Sequence, residues 1–189
     1  MLISTSDINI NSKLDKALFN CQPDKNSLWF FERIPKLNKE ELKKLNKMDY
    51  ITLSVYILNK LLNEKEEVIP YNDLKEIIKN AYNFPIKIKS INDSLHFLEL
   101  THGETVTFKD YGARILAQLI LYFKKDKSSK LTILIATSGD TGSAVAHAFK
   151  GIKNIECHIL FPKDKISVIQ KKQMTTIGDN IHCYETLND

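Results

Sequence analysis

The apolar positions of the chain follow two different periods. Over roughly the first half they recur at helical spacing: through Asn38 to Asn46, through Ile51, Val55, Leu58 and Leu62 between Tyr50 and Leu62, and through Leu74, Ile77 and Ile78 between Tyr71 and Tyr82, ahead of Pro85. This pattern predicts a mainly helical region over residues 1–95. From Phe108 onward Tyr111, Ile115, Leu119 and Tyr122 form one stripe, and Leu116, Ile120 and Phe123 a second. A helix with two apolar stripes should be largely buried, and Lys124 and Lys125 suit its C-terminal end.

The pattern then shifts to short apolar runs separated by helices. Leu131 to Ala136 reads as a buried parallel strand, and the small residues from Ser143 onward form a helix running toward Gly151. Ile155 to Phe161 is the next strand, closed by Pro162. Ser167 to Gln170 matches a capping box that opens a helix stopping by Gly178, and Asn180 to Glu185 is a third strand. Strands and helices alternating at this spacing predict an α/β fold with an open, mostly parallel sheet and flanking helices, of which residues 96–189 form the first part. Ligands on such sheets bind beyond the carboxyl ends of the strands, where Thr137 to Gly142 would lie.

Candidate chemistry concentrates in two places. Lys109 stands in or just before the first turn of its helix, where unpaired N–H groups disfavour an ammonium. Burial between Phe108 and Tyr111 would act in the same direction, Asp110 in the opposite one. A neutral amine there is a candidate nucleophile for a carbonyl compound; the plainer alternative is a solvated surface lysine. Thr137-Ser138-Gly139-Asp140-Thr141-Gly142 joins a strand to a helix and offers N–H groups and hydroxyls to an anion. Its plainer alternative is a tight turn capped by Asp140 or Thr141. Neither a phosphate-binding G-K-[ST] loop nor the G-x-G-x-x-G dinucleotide fingerprint is present.

Composition narrows the classes. The net charge of +4 is mild, and the lysines of Lys36 to Lys47 alternate with Glu40 and Glu41 in the manner of a solvated helix face. Nothing in that pattern points to nucleic acid. Cys21, Cys157 and Cys183 form no C-x-x-C, which suits a reducing cytoplasmic setting, and the latter two read as core residues. His96, His102, His147, His158 and His182 lack zinc-ligand spacing. His147 reads as packed among small residues, whereas His102 could equally line a pocket. No run is apolar and long enough to suggest a membrane span.

Three long motifs, in order, carry a family resemblance: L-E-L-T-H-G-E-T-V-T-F-K-D-Y-G-A-R, I-L-I-A-T-S-G-D-T-G-S-A-V-A-H-A-F and K-I-S-V-I-Q-K-K-Q-M-T-T-I-G. Together they resemble the threonine synthase family of fold type II pyridoxal-phosphate enzymes, over about Leu98 to His182. The resemblance implies pyridoxal 5′-phosphate as cofactor, joined to Lys109, whose amine also moves protons at the substrate carbons. It implies that Asp140 contacts the cofactor and that Ser138, Gly139, Thr141 and Gly142 contact the substrate. The implied reaction converts O-phospho-L-homoserine and water into L-threonine and phosphate. The chain departs from the family in having Glu104 where proline is usual, which brings a negative charge near an anion site. It is also about half the family's length, and the segment that cups the cofactor phosphate is expected further along. The isolated 189-residue chain is therefore expected to be inactive. A reading of another class is a non-catalytic α/β module that keeps the anion loop and binds a ligand without turning it over.

Overall fold

The computed structural model describes residues 1–63 and 66–187 and divides into two units, Met1–Lys79 and Asn80–Asp189. In the first, strand β1 (Leu2–Ser4) pairs antiparallel with β2 (Asn11–Ser12) on one side and β3 (Trp29–Phe31) on the other. Helices α1 (Leu14–Asn20), α2 (Lys39–Leu45), α3 (Tyr50–Leu62) and α4 (Tyr71–Ala81) make up most of the rest. The cap residues explain why α2 and α3 start where they do. Asn38 and Glu41 form a reciprocal capping box, and Asp49 accepts the Thr52 N–H at 3.0 Å. Helices α2 to α4 lie at the foreseen ranges, with Leu45, Val55, Leu74, Ile77 and Ile78 buried, whereas Leu42 of α2 is exposed. The small sheet and α1 are additions that helical spacing did not reveal, because strands of two or three residues are too short to alternate.

The second unit opens with a hairpin of β4 (Lys87–Ser90) and β5 (His96–Glu99), whose turn is held by Asn92 Oδ1 accepting the N–H groups of Ser94 and Leu95. Then come α5 (Lys109–Phe123), β6 (Leu131–Ala136), α6 (Asp140–Phe149), β7 (Ile155–Pro162), α7 (Val168–Thr175) and β8 (Ile181–Thr186). The strands form a parallel sheet in the order β6-β7-β8, with Ile133 opposite Cys157 and Ile159 opposite Cys183. The α/β architecture with a parallel sheet and flanking helices is therefore the observed one.

The core of this unit joins Ala113, Ala117 and Ile120 of α5, Ala144, Val145, Ala146 and Phe149 of α6, Met174 of α7, and Ile155, Cys157, Ile159 and Phe161 of β7. Two expectations need correcting. Strand β6 is not buried on both faces: Leu131, Ile133 and Ile135 turn toward the core, but Leu134 is 68% exposed. Among the described residues β6 pairs with β7 alone, and its burial alternates instead of running continuously as in a strand covered on both faces. The inward face of α5 is also not one of the large-residue stripes. Ala113 and Ala117 face the core, because small side chains let α5 approach α6 closely, and Leu116 is left 39% exposed.

Candidate functional site

The segment before α5 is built around one carboxylate. Asp110 is 1% exposed and accepts two hydrogen bonds from Thr105, one from its N–H at 2.9 Å and one from its hydroxyl at 2.7 Å. The loop from Gly103 to Phe108 is thereby folded back onto the first turn of α5. Gly103 has to be glycine here, since a Cβ would lie 2.2 Å from Asp110 Oδ2. Val106 takes a left-handed backbone with φ 61°, unusual for a β-branched residue, and its N–H donates to Gly103 O at 3.2 Å.

This loop delivers Lys109 to the helix entrance, with its N–H bonded to Thr107 Oγ1 at 3.3 Å. Lys109 is half-buried, and its Nζ lies 4.7 Å from the centroid of the Phe108 ring. Two features differ from expectation. Phe108 is 59% exposed and so does not bury the amine. Asp110, the expected counter-charge, is turned inward to Thr105.

The second loop has a different internal support. Thr137 Oγ1 accepts the N–H groups of Gly139 and Gly142, each at 3.1 Å. Thr137 thus caps α6 from outside the helix, where Gly139 offers no side chain and neither Asp140 nor Thr141 is the N-cap. Gly139 has φ 145°, and a Cβ on it would lie 2.5 Å from Gln170 Nε2. A Cβ on Gly142 would lie 2.5 Å from Thr137 Cγ2 and 2.7 Å from Met174 Sδ. Both glycines shape the turn and have their N–H groups taken up within it. Ser138 and Thr141 are exposed and Asp140 is half-buried, so the outward-facing chemistry of the loop lies on these three.

Topology brings the two loops to one end of the sheet. Helices α5 and α6 each run back against the parallel strands, so both N-termini lie at the carboxyl end of β6. Helix α7 touches both loops: Gln170 Nε2 donates to Asp140 Oδ1 at 2.7 Å, and Gln173 Nε2 to Thr105 O at 3.3 Å. Glu104 also links the helices, accepting from Arg114 Nη1 at 3.3 Å and pairing with His147 Nδ1 at 2.9 Å. The His147 hydrogen bond and then the Arg114 charge hold the Glu104 carboxyl below its ordinary value despite partial burial. The negative charge at Glu104 is thus met by the Arg114 guanidinium and by the hydrogen bond with the His147 ring.

His147 is half-buried, as its small-residue setting suggested, but hydrogen-bonded to Glu104 as well. His102 turns to Glu99 at 2.9 Å. Among the described residues no group of three His, Cys, Asp or Glu is arranged to hold a metal ion, and no helix is long and apolar enough to cross a membrane. Thr105, Gln170 and Gln173 were not among the candidate residues of the sequence, and Thr137 stood there as one of the anion-facing loop residues, not as the group that holds the loop. The capping box identified Gln170 as a helix-entry residue, but no local signal tells which neighbour its amide meets.

Comparison with known proteins finds similarity in both sequence and fold to one family. The family described as "Threonine synthase N terminus" matches residues 1–82. A threonine synthase of Buchnera aphidicola (subsp. Baizongia pistaciae) is 48% identical over 155 residues, which cover 82% of this chain and 35% of that relative. The Escherichia coli threonine synthase is 40% identical over 154 residues, with the same coverages of 82% and 35%. The crystal structure of the Escherichia coli enzyme superposes with a TM-score of 0.90 at 35% identity, covering all of this chain and 43% of that one. A Brucella melitensis threonine synthase described as bound to PLP gives 0.86 at 27% identity, covering 100% of this chain and 41% of that one. The chain spans about a third of the length of the curated relatives it matches.

Proposed function

We propose that this chain, which is similar to the N-terminal portion of the threonine synthases, supplies the lysine and the anion-facing loop of such an enzyme. The whole protein would convert O-phospho-L-homoserine and water into L-threonine and phosphate in the cytoplasm, with pyridoxal 5′-phosphate as cofactor. The observation that carries the reading is the convergence of Lys109 and the Ser138–Gly142 turn on the carboxyl end of one parallel sheet.

The donor set suits an aldehyde cofactor and an amino-acid substrate. Lys109 offers a half-buried primary amine whose neighbouring carboxylate is engaged elsewhere. Asp140 keeps one oxygen beyond the Gln170 contact, and the exposed Ser138 and Thr141 carry hydroxyls. Lys109 would hold the cofactor through its amine, with Asp140 beside it. When bound, pyridoxal phosphate supplies an electron sink for elimination at the γ-carbon and hydration at the β-carbon. The rest falls to the chain itself. The hydroxyls of Ser138 and Thr141 and the N-terminal end of α6 bind the substrate carboxylate. The Lys109 amine accepts a proton at the α-carbon and returns it at a neighbouring one. Thr137, by holding Gly139 and Gly142, keeps the turn in shape between turnovers.

Reductive trapping tests the assignment. Borohydride added to a longer polypeptide containing this chain, with pyridoxal phosphate present, should leave a pyridoxyl group on Lys109 in peptide mass spectra. Lys109→Ala should abolish phosphate release from O-phosphohomoserine, and the isolated 189-residue chain should release little. A label confined to other lysines, or turnover surviving Lys109→Ala, would refute the assignment. Trapping at Lys109 without turnover in that longer polypeptide would favour the ligand-binding module.

A further inference from the structure

Helix α7 carries two amides on one face, three residues apart, and each reaches a different loop of the site. Gln170 uses both ends of its amide. Its Oε1 accepts the Ser167 N–H at 3.1 Å, completing the capping box, while its Nε2 donates to Asp140 Oδ1 at 2.7 Å. The same amide group fills the space that a side chain at position 139 would need. Gln173, one turn on, donates to the carbonyl of Thr105, whose own N–H and hydroxyl grip Asp110 at the head of α5.

From these contacts we propose that Gln170 is a positioning residue for the reaction. It fixes the Asp140 carboxylate in one orientation, lids the Gly139 backbone, and with Gln173 sets the separation between the lysine loop and the anion loop. The inference deepens the threonine synthase reading and rests on it for its catalytic consequence. Its structural consequence stands on the contacts alone. An amide is suited to the position because it both accepts from the α7 cap and donates to a carboxylate. A carboxyl group could do only the first, and an apolar side chain neither.

That distinction supplies the test. Gln170→Glu keeps the capping box but sets a second carboxylate against Asp140, whereas the double variant Gln170→Glu with Asp140→Asn restores a donor facing an acceptor. Amide hydrogen exchange of the chain should quicken about tenfold at Gly139 to Gly142 in Gln170→Glu, with β7 unchanged, and should slow again in the double variant. One hydrogen bond to a charged group is worth about that factor. In a longer polypeptide with turnover, Gln170→Glu should lower kcat/KM for O-phosphohomoserine about tenfold while the melting temperature barely moves. Loop exchange unchanged in Gln170→Glu overturns the proposal, and so does quickened exchange with kcat/KM intact. A longer polypeptide that shows no turnover even with the native Gln170 counts against the threonine synthase reading instead, and the exchange pair still decides whether Gln170 holds the loop.

Discussion

Asp110→Ala is the substitution whose cost follows most directly from the geometry. The side chain and its partner Thr105 are each 1% exposed, so water cannot replace what is lost. A buried donor left without an acceptor costs about 1–3 kcal/mol. The Thr105 N–H bears that cost in full, but the hydroxyl can swing toward Thr107 Oγ1, already at 3.3 Å. Release of the left-handed Val106 backbone returns about 1 kcal/mol. The net expectation is a loss of about 1–2 kcal/mol, or roughly 5–10 °C in melting temperature for a unit of this size. Asp110→Asn should lose less than half as much, since the amide oxygen keeps the N–H bond and the NH₂ can donate to the hydroxyl oxygen. Urea titrations of Asp110→Ala, Thr105→Val and the double variant would give the coupling directly, expected at about 1–2 kcal/mol. If Asp110→Ala stays within about 0.5 kcal/mol of the native chain, or the two substitutions simply add, the carboxylate does not organise the lysine loop.

Two further outcomes are expected. The Glu104 carboxyl is depressed in the folded chain, so its contribution to stability is complete above its ordinary value of 4.5 and is lost as pH falls through the lower folded value. Glu104→Gln should therefore flatten the acid limb of the stability curve below about pH 4.5. The loss near neutrality should stay under about 1 kcal/mol, because the side chain is 54% exposed and its pairs are screened. Burial pushes the Cys157 thiol up to about 12, whereas Cys21 is exposed. Iodoacetamide at pH 8 should accordingly modify Cys21 quickly and Cys157 only on unfolding, read by intact mass; early alkylation of Cys157 would mean that β7 is not the central buried strand drawn above.

Much of the fold was legible because the long elements agree with themselves at several levels. In α3 and α4, apolar spacing pointed to the observed ranges to within a residue, and Ser167 and Gln170 announced α7 through their capping box. The illegible parts share one physical cause, dependence on partners distant in sequence. Leu2–Ser4 is a strand only because residues 11–12 and 29–31 pair with it. The burial of Ala113 and Ala117 rather than Leu116 depends on how closely α6 approaches, which no window within α5 records. Asn180 is a similar case: its amide donates to the carbonyls of Phe149 and Ile155 and accepts the Gly151 N–H, tying β8 to the end of α6 without a local motif.

The candidate site shows the same division more sharply. Chemical identity was readable: an amine at a helix entrance and a turn of small polar residues after a strand. What each residue does was less so, because the roles are divided between groups that contact a ligand and groups that hold those groups still. Gly139 and Gly142 looked like ligand-facing donors, yet their N–H groups are already satisfied by Thr137. Asp110 looked like a counter-ion for Lys109, yet it serves Thr105. In each case the residue next to the reactive position is occupied with the backbone, which leaves the amine, one oxygen of the Asp140 carboxylate and the outward hydroxyls to meet what binds. On the proposed reading, changing Ser138 or Thr141 should lower ligand affinity, whereas changing Thr137, Asp110 or Gln170 should cost the loops their shape. The two kinds of damage separate as an effect on binding alone and an effect on loop exchange as well.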